Sequence, residues 1–240
     1  MRARVALILA AVVTAATIGC HEPPPPLGSA PVVAPVLATA PDQVVDPEHW
    51  AFPRVCFNQW QGEHDVPVTR QGGEGRRVAV IGDSLTTQAR ELLIARGGFD
   101  WHVTSFCGAR VADYLPGGAL HDTLADLRAF EPEAVVIALG TNDGRAGDSL
   151  VDSAPALLRE LPDGVPVTWV LPAPSHDDTD YDTAVVRADV TNLTHVTVVD
   201  WAEFADMPDA RGDDSIHLTW TGAGVYASLI AGGTRPLTTV

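Results

Sequence analysis

Val78-Ala79-Val80-Ile81-Gly82-Asp83-Ser84-Leu85 is the stretch from which the rest of the sequence can be read. An apolar, largely β-branched run stops at Gly82, and residues 86–96 continue with the spacing of a helix. A buried strand that ends at a glycine and hands a serine to a helix N-terminus is a good way to expose a nucleophile. Such a serine needs partners from elsewhere in the chain.

Beyond this stretch, strand and helix patterns alternate. Strands are predicted over 78–82, 101–106, 134–139, 165–171 and 196–199, and helices over 86–96, 120–130, 150–161, 181–193 and 219–231. Thr219 or Thr221 caps the last helix. The uninterrupted apolar run at 134–139 suits a strand covered on both faces. The alternation predicts a doubly wound α/β domain around a five-stranded parallel sheet, and no internal repeat is present.

In such sheets ligands bind outside the C-terminal strand ends. Those ends carry Gly82-Asp83-Ser84, Phe106-Cys107-Gly108 and Gly140-Thr141-Asn142-Asp143, and Asp214-Ser215-Ile216-His217 precedes the last helix. These residue types meet the needs of acyl transfer. Ser84 needs a base, and the His217 imidazole suits that near neutral pH. The imidazole needs an acceptor at its other nitrogen, which Asp214 supplies only if the loop folds its carboxylate back under the ring. An oxyanion needs preorganised donors, here the Asn142 amide and the backbone N–H groups of Ser84 and Gly108.

In this order, Gly82-Asp83-Ser84-Leu85, Gly108, Gly140-Thr141-Asn142-Asp143 and Asp214-Ser215-Ile216-His217-Leu218-Thr219 resemble the four blocks of the SGNH (GDSL-like) hydrolases. The resemblance covers about residues 77–233. It implies a flavodoxin-like, three-layer α/β/α fold, with Ser84 as nucleophile, His217 as base and Asp214 orienting it. It further implies an oxyanion hole of Ser84, Gly108 and Asn142, and neither metal nor cofactor. In the second block only the glycine matches.

Single motifs prove little here. Gly147-Asp148-Ser149 repeats the tripeptide, but it follows a loop, and Ser149 reads as the cap of a helix starting at Leu150. Asp46-Pro47-Glu48-His49 repeats the acid–base spacing ahead of the domain. The cluster of His176, Asp177, Asp178, Asp180 and Asp182 lacks the spacing of a metal loop and reads as a solvated loop on the site's rim. Asp83 and Asp143 are expected to brace loops around the site.

Residues 1–19 read as a signal peptide, with Arg2 and Arg4 ahead of an apolar run ending at Gly19-Cys20. The run is short for a membrane span. It resembles a bacterial lipoprotein signal, with Cys20 as the lipidated residue, although Thr17 stands where that pattern has leucine. Ordinary secretion with cleavage near Ala15 or Ala16 is the alternative. Residues 20–47 form a Pro/Ala-rich spacer. Residues 48–76 are an N-terminal arm whose Trp50, Phe52, Phe57 and Trp60 are expected to pack on the catalytic domain, residues 77–240. In an exported chain, Cys56 and Cys107 either pair, closing a loop worth roughly 3–4 kcal/mol, or stay as two buried thiols.

The 31 acidic and 15 basic residues, the latter all arginine, give a net charge of −16 and argue against nucleic acid or an anionic membrane surface as partner. Membrane attachment is expected only through a lipid on Cys20, and the protein is expected to act as a monomer. The function expected is that of an exported serine esterase acting on acyl esters, such as acetyl esters of envelope carbohydrates or short-chain lipid esters. The alternatives are an O-acyltransferase modifying wall sugars and a non-catalytic envelope-binding module.

Overall fold

The computed structural model describes residues 68–71, 74–174 and 183–234, together with Cys56 and Gln59. Its strands are β1 (Val68–Gln71), β2 (Arg76–Gly82), β3 (Phe99–Ser105), β4 (Ala134–Ala138), β5 (Val167–Leu171) and β6 (Val196–Asp200). They lie in the order β1-β3-β2-β4-β5-β6. The five strands from β2 to β6 run parallel, in the strand order of a flavodoxin-like sheet.

The strand β1 is a sixth, antiparallel to β3 with Val68 opposite Thr104. It extends the five-stranded sheet expected from the sequence. Four residues with no alternating pattern give little strand signal, and an antiparallel edge on a parallel sheet is common.

Alternation along β2 feeds two cores. Ala79 and Ile81 pack with α2 (Thr123–Phe130), α4 (Ser153–Glu160) and α5 (Thr183–Thr191), through Leu124, Leu127, Leu157 and Val186. Val78 and Val80 face α1 (Ser84–Ile94) and α7 (Trp220–Gly233), through Leu92, Leu93, Ala227 and Ile230. All four β2 residues are fully buried, which explains the unbroken apolar run. Each large aliphatic side chain so placed stabilises the fold by about 1.5–3 kcal/mol relative to exposure. The result is a three-layer α/β/α domain. No helix among the described residues is long and apolar enough to cross a membrane.

Two short helices were not expected: α3 (Thr141–Ala146), whose sequence TNDGRA has no apolar period, and α6 (Ala202–Ala205). The helix expected from residue 150 starts at Ser153, so Ser149 does not cap it. The Ser149 hydroxyl instead donates to Asp189 at 2.8 Å and accepts from the Val151 N–H. Thr219 caps α7 by accepting from Gly222 N–H, as expected.

Cys56 and Cys107 are joined in a disulfide with Cα atoms 5.5 Å apart, which settles the alternative left open by the sequence. The residues read as signal peptide and spacer (1–47), with Cys20 among them, the four aromatic residues of the arm, Asp46 and His49, and the cluster from His176 to Asp182 lie outside the described residues.

Candidate active site

The turn from β2 into α1 is made by Asp83. Its backbone is extended, and its Oδ1 accepts from Leu85 N–H at 3.0 Å, capping α1. Ser84 becomes the first residue of the helix, so its own N–H has no intrahelical acceptor. The His217 Nε2 lies 3.0 Å from Ser84 Oγ.

His217 is carried by a loop held at both ends. Arg211 and Leu218 form a bridge, and Gly212 N–H donates to His217 C=O at 2.8 Å. At the start of α7, Gly222 passes so close to Ala210 that a Cβ would meet its carbonyl oxygen at 1.8 Å. Ser215 takes a left-handed backbone, φ 59°, and this bend returns Asp214 beneath the imidazole. Asp214 Oδ2 meets His217 Nδ1 at 2.6 Å, and its Oδ1 accepts from the N–H groups of Ile216 and His217. The folded-back carboxylate that the sequence required is therefore present.

Two residues that sequence reasoning missed support the loop. Gln88, buried on α1, accepts from Leu218 N–H at 3.0 Å and donates to Leu218 C=O. Arg211 donates to the carbonyls of Ala205, Pro174 and Ser215 and pairs with Asp206.

Burial lowers the His217 pKa below 6.5, against the opposing bond and charge of Asp214. Burial also pushes the Asp214 carboxyl up, but the bonds from the His217 ring and the two N–H groups outweigh it and hold Asp214 below its ordinary value. A neutral imidazole facing an ionised carboxylate near pH 7 is the pairing that a general base needs.

The strands flanking β2 bring the other blocks alongside. Gly82 pairs with Ser105 of β3 on one side and Ala138 of β4 on the other, with neighbouring strands about 4.8 Å apart. Gly108 and Asn142 follow those strand ends closely. Gly108 is exposed and has φ 87°, a conformation that requires glycine. The Asn142 Nδ2 donates to Ala109 C=O at 3.0 Å, leaving its second N–H for another acceptor. Asp143 accepts from Val111 N–H at 3.1 Å. Thus α3 holds the loop that carries Gly108 through two adjacent side chains.

Asp83 is buried beside Ser84, and its pKa is pushed up to about 7 chiefly by loss of solvent, with the charge of Asp143 adding and the Leu85 N–H opposing. Burial likewise raises Asp143 to about 6. A folded-state pKa above the unfolded one favours the native state at low pH, and that contribution is lost as pH rises through the folded value. Asp83→Asn keeps the capping acceptor and cannot ionise. In urea titrations from pH 5 to 8.5, wild type is expected to lose about 2–4 kcal/mol more than the variant. Equal losses would show that Asp83 does not ionise across this window.

No protein-family model and no curated protein sequence matches the chain. Among solved structures, the chain is similar to the C-terminal catalytic domain of peptidoglycan O-acetyltransferase A from Streptococcus pneumoniae. That match has 23% identity and a TM-score of 0.51, over 67% of this chain and 93% of the other. A member of the lipolytic protein G-D-S-L family from Veillonella parvula matches at 16% identity and a TM-score of 0.50, over 64% and 94% of the two chains. Strand order, layering and these likenesses together give the chain the three-layer α/β/α fold of the SGNH (GDSL) hydrolases.

Proposed function

We propose that the protein is an exported serine ester hydrolase that works through an acyl-enzyme on Ser84. The observation that carries this reading is the unbroken relay from Ser84 Oγ to His217 Nε2 at 3.0 Å and from His217 Nδ1 to Asp214 at 2.6 Å. Ser84 Oγ attacks the ester carbonyl carbon while its proton passes to His217 Nε2. The oxyanion of the tetrahedral intermediate accepts from the N–H groups of Ser84 and Gly108 and from the Asn142 amide. As the intermediate collapses, the carbonyl re-forms and the alcohol leaves with the proton from His217. Water, deprotonated by His217, then attacks the acyl-enzyme and releases the carboxylic acid and free Ser84.

The reading of residues 1–19 as a signal supports a substrate outside the cytoplasm. Acetyl esters of envelope carbohydrates and short-chain lipid esters are the substrates proposed. A second reading, transfer of the acyl group to a wall sugar instead of water, is favoured by the likeness to an O-acetyltransferase domain. The two share every step up to the acyl-enzyme and differ in the acceptor.

A membrane-impermeant fluorophosphonate applied to intact producing cells tests nucleophile and location together. Wild type is expected to be labelled and Ser84→Ala not, while Ser149→Ala labels like wild type. Labelling only after lysis would overturn export and leave the hydrolase standing. Absence of labelling in the purified protein, with no hydrolysis across a panel of acyl esters, would overturn the enzyme. Adding a wall-sugar acceptor to the hydrolysis assay separates the two acyl acceptors by product.

A further inference from the structure

Gly108, the glycine assigned to the oxyanion hole, lies in a turn closed by Ala109 N–H donating to Phe106 C=O at 3.0 Å. Apart from its chain neighbours, no heavy atom of the described residues lies within 4 Å of where its Cβ would stand. Its place therefore depends on the residues before and after it. On the far side, Ala109 C=O and Val111 N–H are held by Asn142 and Asp143. On the near side, Phe106 N–H donates to Gly82 C=O of β2 at 3.3 Å, and Cys107 is held in addition by the N-terminal arm, outside the stretch that resembles the hydrolase family.

Gln59 is buried, and both ends of its amide are used on backbone. Its Nε2 donates to Ser105 C=O at 3.0 Å, and its Oε1 accepts from Cys107 N–H at 2.8 Å. Among the described residues, the pairing of β1 with β3 extends to Val68 opposite Thr104. Gln59 takes over directly beyond it, so one side-chain amide continues the edge that β1 leaves. Cys107 is also fixed through its sulfur to Cys56, three residues before Gln59. Two independent attachments from one short segment thus meet at the residue preceding Gly108.

We infer that Gln59, together with the Cys56–Cys107 disulfide, is a positioning element that sets the Gly108 N–H for the oxyanion. The inference rests on the hydrolase reading above. Gln59 touches no reacting atom and acts through Cys107 and Gly108. Oxyanion donors act by being in place before charge develops, so a displacement of this N–H lowers transition-state stabilisation more than substrate binding.

The test uses the full chain, a short-chain acyl ester, and a trifluoromethyl ketone whose serine adduct carries an oxyanion. Gln59→Met keeps the bulk and removes both bonds. It is expected to lower kcat about tenfold with KM unchanged and to weaken the ketone by a similar factor, since small misplacements near the reacting centre have effects of this order. Gln59→Glu supplies a readout that a purely structural role would not move. While protonated, the introduced carboxyl makes both bonds; once ionised, it faces the Ser105 carbonyl without a proton to give. Its kcat relative to wild type is expected to fall as pH rises, the His217 titration cancelling in the ratio.

Unchanged kcat and ketone affinity in Gln59→Met, in an active wild type, would overturn the inference alone. A lower kcat at unchanged ketone affinity overturns it too, because Gln59 would then act elsewhere. Should Gln59→Met fail to fold, a Gln59→Glu ratio that is flat with pH overturns it, and a falling ratio supports it. A wild type that hydrolyses no ester removes the hydrolase reading and this inference with it.

Discussion

His217→Ala is expected to lower kcat on acyl esters by about 10⁴–10⁶-fold while KM stays within a few-fold. The imidazole is the only side chain within hydrogen-bond distance of Ser84 Oγ among the described residues, so no neighbour takes over the proton. Its loss leaves the oxyanion donors and the substrate contacts intact, which is why binding is spared. Ser84→Ala is expected to be similarly damaging, and the double variant no worse than either single one, because base and nucleophile act as a unit. Asp214→Asn tests the remaining member: it keeps the shape of the Asp214–His217 contact and removes the charge that stabilises the imidazolium. Since burial lowers the His217 pKa, the acid limb of the wild-type kcat/KM profile is expected below pH 6.5, activity falling as the ring takes up a proton. Retention of more than about a hundredth of the wild-type kcat in His217→Ala would mean that another group serves as base.

The sequence was most legible where burial is two-sided. The apolar runs of β2 and β4 suit strands in the middle of a parallel sheet, and both lie there. With the strand ends known, the convergence of Ser84, Gly108 and Asn142 on one edge follows from topology. What stayed hidden depends on contacts remote in sequence. Gln88 meets Leu218 across 130 positions, and Gln59 meets Ser105 across 46, and a lone glutamine carries no pattern that announces either. Asp214 was legible only as a condition, because the left-handed turn at Ser215 that fulfils it falls on a residue with no intrinsic preference for that conformation. Asp83 and Asp143 were expected to brace loops, and their bonds to Leu85 N–H and Val111 N–H do so. The second Gly-Asp-Ser shows what context adds. Without a strand before it, Ser149 ends on Asp189 and a local turn, with no histidine as partner among the described residues.

Asn142→Ala is expected to lower kcat by about 10²–10³-fold with KM nearly unchanged, the loss typical of removing one oxyanion donor. Asn142 has a second task, however, because its Nδ2 also holds Ala109 C=O next to Gly108. The two contributions separate by comparison with Asp143→Asn, which weakens the hold on Val111 N–H from the same helix without removing the Asn142 amide. If Asn142 worked only by steadying the loop, both variants would lower kcat by similar, modest factors. If it donates to the oxyanion, Asn142→Ala loses far more than Asp143→Asn, and its affinity for the trifluoromethyl ketone falls in step with kcat. A loss confined to KM would place the amide on the ground-state substrate and remove it from the oxyanion hole. Because the bond to Ala109 C=O holds the amide and its second N–H has no partner among the described residues, the donor is oriented before substrate arrives. Little reorganisation is then needed when the negative charge forms, and the effect should be seen in kcat.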